Sequence, residues 1–288
     1  SIQSTDSEIP RSIEVMTGLS ILSFGLGQVG FGEERQRRAR MSLNVKRFKA
    51  HYGVGPGTVK ALFDDLHDEY PTLKLRDLLM ALNWFKLYDT EHVLAGRWDY
   101  CENFIRDRVK DYGKKIQSLK KKRIVFGGFH SEEVHIISVD GVNFSTQEFR
   151  LDPSSKWFDH KTKSAGLTYE LALAIRRQQL VLIRGPFPAG ATNNGTIFRG
   201  GTKGISRDQW DQSSLYFQMP SGKKAVGDSG YQGISNVTIV KRKYSRKLKQ
   251  FLNQTKLRQE SFHTRLKSFN ILGQRFRHGS STKNKMET

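Results

Sequence analysis

Apolar residues recur at helical spacing from about residue 42 to residue 122, which predicts an all-α region. The segment Gly53-Val54-Gly55-Pro56 separates two short amphipathic stretches, because Gly and Pro favour a tight turn and Pro56 suits the first turn of a helix. The outline predicts a helix-turn-helix, whose second helix could lie in a DNA major groove, or an ordinary helical hairpin. Further helices are predicted over 75–88 and 103–119.

The apolar period changes to two after residue 133, which predicts strands at 134–139, 167–175, 180–183, 223–227 and 237–240. A loop is expected over 185–195, with Asn193 or Asn194 capping the helix that follows. A long basic helix is predicted over 244–272. The order strand, strand, strand, helix, strand, strand, helix is that of the RNase H fold. The expected fold class is therefore α/β, an RNase H-like mixed five-stranded sheet with flanking helices, preceded by an all-α helix-turn-helix region.

The chain ends are expected to be disordered. Residues 1–41 are mixed in character and end in a cluster of arginines, which predicts a disordered basic arm, and 279–288 are expected to form a disordered tail. The segment from Gly25 to Gly30 matches G-x-G-x-x-G, but an arginine cluster follows it instead of the acidic residue of a dinucleotide-binding βαβ unit. A flexible segment is the preferred interpretation. The expected division is 42–125 for the helical region and 130–278 for the α/β core.

The charge balance adds a partner to this picture. The chain has 48 Lys and Arg against 28 Asp and Glu, a net charge of +20, which favours nucleic acid over an anionic membrane as partner. The single cysteine, Cys101, excludes a disulfide framework and a Cys-rich zinc site. No apolar run is long enough to cross a membrane and no signal peptide is visible. In the helix-turn-helix, the expected phosphate contacts are Lys46, Arg47, Lys49 and Lys60.

Three acidic residues stand at informative places. Asp140 and Asp228 each follow a predicted strand and precede Gly141 or Ser229-Gly230, whereas Glu260 lies within the predicted long helix. An Asp-Gly turn is the alternative at Asp140. The helix has an apolar stripe and a polar stripe. The apolar stripe is Phe262, Leu266 and Phe269, and the polar stripe is Lys256, Glu260, His263 and Lys267.

The polar stripe is consistent with a surface ladder of ion pairs or with a metal ligand bordered by phosphate-binding groups. Clustered carboxylates suit phosphodiester cleavage, because two hard cations can serve the attacking and the leaving oxygen. Such carboxylates repel one another, so metal should stabilise their ionised state. The residues expected to steady the DNA strand are Lys256, His263, Arg265 and Lys267.

From about residue 134 to residue 278 the chain resembles the DDE superfamily endonucleases of Harbinger-type and related insertion-sequence transposases. The segments that carry the resemblance are Val139-Asp140-Gly141, Gly185-Pro186-Phe187-Pro188-Ala189-Gly190, Gly227-Asp228-Ser229-Gly230-Tyr231 and the run from Glu260 to Lys267, continued by Arg275-Phe276-Arg277. The resemblance implies an RNase H-like core, two Mg²⁺ or Mn²⁺ ions, and cleavage or strand transfer of DNA. It also implies Asp140, Asp228 and Glu260 as catalytic metal ligands.

The chain departs from this family where relatives often carry a His-Asp pair after the third strand, since Asn193-Asn194 stands there. Asp159-His160 is expected to form a surface turn, and Glu170 is a weaker candidate for an approach to the site. The predicted function is a DDE nuclease or transposase acting on transposon ends and target DNA, with a homodimer as a candidate assembly and no membrane partner. The nucleus is the expected location in a eukaryote. The alternative is a domesticated or inactive DNA-binding protein derived from a transposase.

Overall fold

The computed structural model describes residues 17–129, 132–149, 152–202 and 204–277. The chain divides into two compact units, an N-terminal unit of Ser1–Leu119 and a C-terminal unit of Lys120–Thr288. The predicted division between residues 125 and 130 lies a few residues after this boundary. Among the described residues, no helix combines the length and the apolar character that a membrane span requires.

The described part of the N-terminal unit is helical. Its helices are α1 Gly18–Gln28, α2 Glu33–Arg37, α3 Met41–Tyr52, α4 Pro56–Glu69, α5 Leu75–Leu87, α6 Glu91–Trp98 and α7 Glu102–Ser118. The predicted turn is confirmed: α3 ends at Gly53 with φ 77°, and α4 begins at Pro56. The helices predicted over 75–88 and 103–119 are also confirmed, as α5 and α7. Helix α6 lies within the region predicted to be helical.

The prediction of a disordered arm is wrong for residues 17–41, and residues 1–16 lie outside the described residues. Helix α1 buries Ile21, Leu22 and Leu26. Gly25, the first glycine of the G-x-G-x-x-G segment, lies so close to α3 that an added Cβ would come within 2.5 Å of Phe48. The preferred interpretation as a flexible segment is therefore wrong: the segment lies largely in α1, and its first glycine allows two helices to pack closely.

The C-terminal unit is an α/β structure built on a mixed sheet. Its strands are β1 His135–Ser145, β2 Phe158–Asp159, β3 Ser164–Ala174, β4 Leu180–Pro188, β5 Lys224–Val226 and β6 Val237–Thr238. The strand order is β2-β3-β1-β5-β6, and β4 also pairs with β3. Strand β3 is antiparallel to β1, β2 and β4, whereas β5 runs parallel to β1 and β6 parallel to β5. The α/β class is confirmed, with a sixth, two-residue strand beyond the five predicted.

Short helices and one long helix complete this unit. They are α8 Lys120–Arg123, α9 Asn194–Arg199, α10 Leu215–Gln218, α11 Arg246–Lys267 and α12 Asn270–Gly273. Asn193 caps α9 through its side chain, as predicted, and β4 extends into the segment expected to be a loop. The long helix predicted over 244–272 is broken after Lys267, so that α12 is separate. The predicted tail, 279–288, lies outside the described residues.

The two faces of the sheet are covered by different helices. The Ser138 hydroxyl donates to the buried Gln259 of α11 at 2.7 Å, so Ser138 and Asp140 belong to the face that α11 covers. Gly141 lies against Asn194 of α9, on the opposite face. The core between the sheet and its helices contains Ile137, Val139 and Phe198. Both faces of the central strands are therefore buried, which limits where charged groups can lie.

Candidate active site

Asp140 and Asp228 lie side by side because of the register of two parallel strands. Ser138 of β1 pairs with Val226 of β5, and each aspartate lies two residues beyond its strand's member of that pair. Equivalent positions on neighbouring strands are about 4.8 Å apart. The pairing of β1 with β5 ends at Ser138, although β1 itself continues to Ser145. Asp140 was predicted to follow the end of a strand. It lies within β1 instead, just past the point where the parallel pairing of β1 with β5 ends.

Backbone donors fix one oxygen of each carboxylate. The Asp140 Oδ1 accepts the Gly141 N–H at 2.8 Å, and the Asp228 Oδ1 accepts the Gly230 N–H at 2.8 Å. Asp228 thereby caps the short turn Ser229–Tyr231. The remaining oxygens are the ones available to a ligand.

The pair is electrostatically unfavourable without a cation. Burial, followed by repulsion from Asp228, raises the pKa of Asp140 to about 6, and the Gly141 N–H, Lys161 and Lys256 oppose this rise. The Asp140 side chain is 26% exposed, so solvent reaches one side of the pair. A bound divalent cation would remove the repulsion and favour the ionised form of Asp140.

Asn194 brings an amide to the acidic pair. Its Nδ2 lies 3.5 Å from the Asp140 Oδ1, and an added Cβ at Gly230 would lie 3.3 Å from the same nitrogen. An added Cβ at Gly141 would meet the Asn194 Oδ1 at 2.4 Å, so only glycine permits this approach. A flip of the amide exchanges its nitrogen and oxygen. Asn194, one of the two residues at which the chain departs from the family that it resembles, therefore lies beside Asp140.

Helix α11 places His263 beside Asp140 by way of Gln259. The Gln259 Nε2 donates to the Leu171 carbonyl at 3.2 Å, and its Oε1 accepts from Ser138, which fixes the phase of the helix. The His263 Nδ1 lies 3.8 Å from the Asp140 Oδ2. Burial, assisted by the charge of Lys267, lowers the pKa of His263 to about 4. The imidazole is therefore neutral at pH 7, and the contact is polar but not an ion pair.

Glu260 does not join the two aspartates. It follows the buried Gln259 on α11 and is exposed. Within residues 17–129, 132–149, 152–202 and 204–277, no group of three His, Cys, Asp or Glu residues could hold a metal ion. The predicted triad is thus brought together only as the pair Asp140 and Asp228. Two residues near the end of α11 that were predicted to contact the DNA strand, Arg265 and Lys267, are exposed as well.

A buried carboxyl group lies on the other face of the sheet. Glu170 of β3 is 0% exposed, and among the described residues neither of its oxygens has a hydrogen-bond partner. Burial raises its pKa to about 8, with Arg184 opposing. The buried Tyr231 hydroxyl also lacks a partner in the described part of the chain. Burial, followed by the charges of Glu170, Asp140 and Asp228, raises the pKa of Tyr231 well above its usual value. Glu170 is therefore a core residue and not a residue of the solvated face.

The sequence pattern gave a partial signal for Glu170. It is the polar residue between Tyr169 and Leu171 in an otherwise apolar strand. The alternation assigned it to a polar face, because the pattern does not indicate that α9 covers that face. The surface turn predicted at Asp159-His160 is confirmed, since residues 160–163 form an exposed turn. Asp159, which begins it, is itself 3% exposed and accepts the Lys161 N–H at 2.9 Å.

A polar cavity of about 400 Å³ adjoins the turn that follows Asp228. Its lining residues include Asn193, Thr196, Arg199, Thr202, Gly230 and Gln232. The Arg199 Nε is buried without a hydrogen-bond partner among the described residues. Arg199 is therefore a cationic donor in a cavity that reaches the turn after Asp228, and an arginine can bind a phosphate group through charge-assisted hydrogen bonds.

The predicted phosphate contacts of the N-terminal unit differ in their surroundings. Lys46 and Lys49 are exposed on α3. The Arg47 guanidinium lies 4.9 Å from the centre of the Phe31 ring. Lys60 of α4 forms an ion pair with Asp64 at 2.6 Å. Among the four predicted phosphate contacts, Lys60 is thus the one whose ammonium group is paired with a carboxylate of its own helix.

Comparison of the chain with protein-family models, curated proteins and solved structures finds no match.

Proposed function

We propose that this chain is a metal-dependent DNA nuclease with an RNase H-like core, in which Asp140 and Asp228 hold Mg²⁺ or Mn²⁺. The observation that carries the proposal is the strand register, which brings Asp140 of β1 near Asp228, two residues beyond the end of β5, so that the charge of Asp228 acts on Asp140. The order β4-β3-β1-β5-β6, with its antiparallel and parallel halves, agrees with such a core. The net charge of +20 supports a polyanionic substrate.

The donor atoms suit a hard divalent cation. Two carboxylates and the Asn194 amide offer oxygen ligands, and Mg²⁺ binds oxygen while retaining several waters. The two-ion arrangement implied by the resemblance requires a third acid, and the exposed Glu260 is the residue that the resemblance assigns to this role. When bound, a divalent cation would stabilise negative charge on the phosphate that is attacked.

The side chains around the pair would orient the substrate. Arg199, in the cavity beside Asp228, and Lys256, whose charge acts on Asp140, supply cations for the phosphate oxygens. Water or a 3′ hydroxyl would attack in line with the leaving oxygen. With its pKa lowered to about 4, His263 offers a hydrogen bond at neutral pH rather than a positive charge.

The test is nicking of supercoiled plasmid by the full chain in the presence of Mg²⁺ or Mn²⁺. We expect Asp140→Asn to abolish metal-dependent cleavage while DNA binding stays nearly intact. Asp208→Asn removes an exposed carboxylate of the same unit and is the matched control. Normal cutting by Asp140→Asn would show that Asp140 is not a ligand. Loss of cutting in Glu260→Gln would show that Glu260 joins the pair when metal and DNA bind.

A second candidate is a domesticated or inactive DNA-binding protein. The observation in its favour is that Glu260 lies apart from the two aspartates and that Asn194 stands where relatives often carry an acid. A titration of thermal stability with Mg²⁺ or Mn²⁺ separates the two functions. A rise in melting temperature that Asp228→Asn removes favours the nuclease, and no rise at millimolar metal favours the inactive protein. Competition between duplex DNA and RNA decides between DNA and RNA as substrate.

A further inference from the structure

Basic residues in the N-terminal unit are concentrated on α2, α3 and the short segment between them. Residues 33–52 contain seven Lys and Arg and two Glu. Three of these arginines, Arg35, Arg38 and Arg47, line one cavity of about 320 Å³ together with Glu34, Ala39 and Leu43. We call Arg35, Arg38, Arg47 and the adjacent Phe31 the arginine surface.

Phe31 holds two guanidinium groups of this surface. The Arg35 and Arg47 guanidinium carbons lie 4.6 Å and 4.9 Å from the centre of its ring. A guanidinium held over an aromatic ring is oriented and keeps N–H groups at its edge for an anion, and in Arg47 one of these N–H groups is used by Asn44. Within the described part of the chain, neither arginine forms an ion pair. The two charges are therefore available to a ligand.

Hydrogen bonds keep this surface in place. The Gln36 Nε2 donates to the Phe31 carbonyl at 2.6 Å and to the Ser23 carbonyl at 3.2 Å. Asn44 is buried and donates to the Gln36 carbonyl at 2.8 Å, while its Oδ1 accepts from Arg47 at 3.2 Å. Helices α1, α2 and α3 are thus tied together beneath Phe31. A ligand would meet a preorganised site, so binding requires little ordering of the surface.

The Arg38 side chain is the least constrained member. It forms an ion pair with Glu34, but the two side chains are 79% and 68% exposed. Exposed pairs of this kind are weak and are screened by salt. A phosphate can therefore replace Glu34 as the partner of Arg38 at little cost.

Helix α4, the expected recognition helix, has the opposite charge. Residues 56–69 contain one lysine and four acidic residues, Asp64, Asp65, Asp68 and Glu69. That lysine, Lys60, forms an ion pair with Asp64. A helix with this balance repels phosphates and would be a poor occupant of a major groove.

We propose that the arginine surface, and not α4, binds the phosphate backbone of duplex DNA. The proposal rests on DNA as the partner in the proposed function and assigns the contact to α2 and α3. Because backbone contacts of this kind carry no sequence information by themselves, the N-terminal unit would position DNA without choosing its sequence.

The test is fluorescence anisotropy of the full chain with a labelled 30-base-pair duplex in EDTA, over a series of salt concentrations. We expect the double variant Arg35→Gln/Arg47→Gln to bind roughly tenfold more weakly, with the slope of log K against log salt reduced by about 1.8, since each phosphate contact contributes about 0.9. Lys60→Gln on α4 is the matched control and should change neither value. The double variant Arg35→Lys/Arg47→Lys should keep the slope of the wild type.

Several outcomes would overturn the proposal. They are an unchanged affinity and slope in the Arg35→Gln/Arg47→Gln variant with an unchanged circular dichroism melt, a loss of binding in Lys60→Gln, and no binding of duplex DNA at all. Binding to anionic phospholipid vesicles instead of DNA would also overturn it. Because EDTA prevents metal-dependent cleavage, the result is independent of the nuclease assay. If the chain binds DNA through the arginine surface but does not cut it, this inference stands and the proposed nuclease fails. If the chain cuts DNA but the arginine variant binds normally, the nuclease stands and this inference fails.

Discussion

The buried carboxyl of Glu170 makes the stability of the C-terminal unit depend on pH. In the unfolded chain a glutamate ionises with a pKa near 4.5, whereas burial raises the pKa of Glu170 to about 8 in the folded chain. Below pH 4.5 both states are protonated and Glu170 has no effect. Between pH 4.5 and 8 only the unfolded state releases its proton, so stability falls as the pH rises.

The size of the effect follows from the two pKa values. Each unit of difference corresponds to about 1.4 kcal/mol, so Glu170 lowers the free energy of unfolding by about 3 kcal/mol at pH 7 and by about 5 kcal/mol above pH 8. The side chain is fully buried, so solvent does not screen this term. Such a cost is a large fraction of the stability of an ordinary domain, which is about 5–15 kcal/mol.

The variant Glu170→Gln removes the titration and keeps the shape of the side chain. Urea-induced unfolding is followed at pH 5, 6, 7 and 8 by hydrogen exchange of peptides from β3, so that the C-terminal unit is measured by itself. We expect the variant to gain stability over the wild type as the pH rises, by about 1.4 kcal/mol per unit between pH 5 and pH 8. The comparison cancels the contributions of Asp140 and His263, which titrate in both proteins. A constant difference across this range would refute the assignment of a raised pKa to Glu170.

Two further predictions concern Asp140 and the packing of α1. Because the pKa of Asp140 is raised to about 6, the stabilisation by Mn²⁺ should decline as the pH falls through 6. A titration of melting temperature at several pH values measures it, and a stabilisation that stays constant from pH 7 to pH 5 would contradict this expectation. Tyr52→Phe removes the hydrogen bond that the buried Tyr52 hydroxyl donates to the Gly25 carbonyl at 2.7 Å. The stability of the N-terminal unit should fall by about 1–2 kcal/mol, measured by thermal unfolding. An unchanged melting temperature would show that this bond contributes nothing.

The strands of the C-terminal unit could be predicted because the period-two pattern is local. The position of Glu260 could not be predicted in the same way. Neighbouring residues of a helix differ in direction by about 100°, so the face of α11 that meets the sheet decides between Gln259 and Glu260. The apolar stripe at Phe262 and Leu266 suggested one face, but the structure buries Leu252, Thr255 and Gln259. The hydrogen bonds of Gln259 fix the rotation of α11 about its own axis. A pattern of apolar residues in the sequence does not indicate such hydrogen bonds.

The folding of residues 17–41 also escaped prediction, for a different reason. Helix α1 is rich in glycine and is followed by arginines, which together are typical of a flexible arm. Its stability comes from partners elsewhere in the chain, since Gly25 packs on Phe48 and Tyr52. The arginines after it are ordered by Phe31, which holds Arg35 and Arg47. Long-range packing of this kind leaves no trace in local composition.

The close approach of Asn194 to Gly141 has a consequence for how this protein can change over evolution. A methyl group at position 141 would come within 2.4 Å of the Asn194 amide, so the two positions cannot vary independently. A larger residue at 141 would be tolerated only with a smaller one at 194, and each such exchange would alter the surroundings of Asp140. We therefore expect positions 141 and 194 to covary among homologous chains. Strand β1 and helix α9 would then diverge as one inherited module.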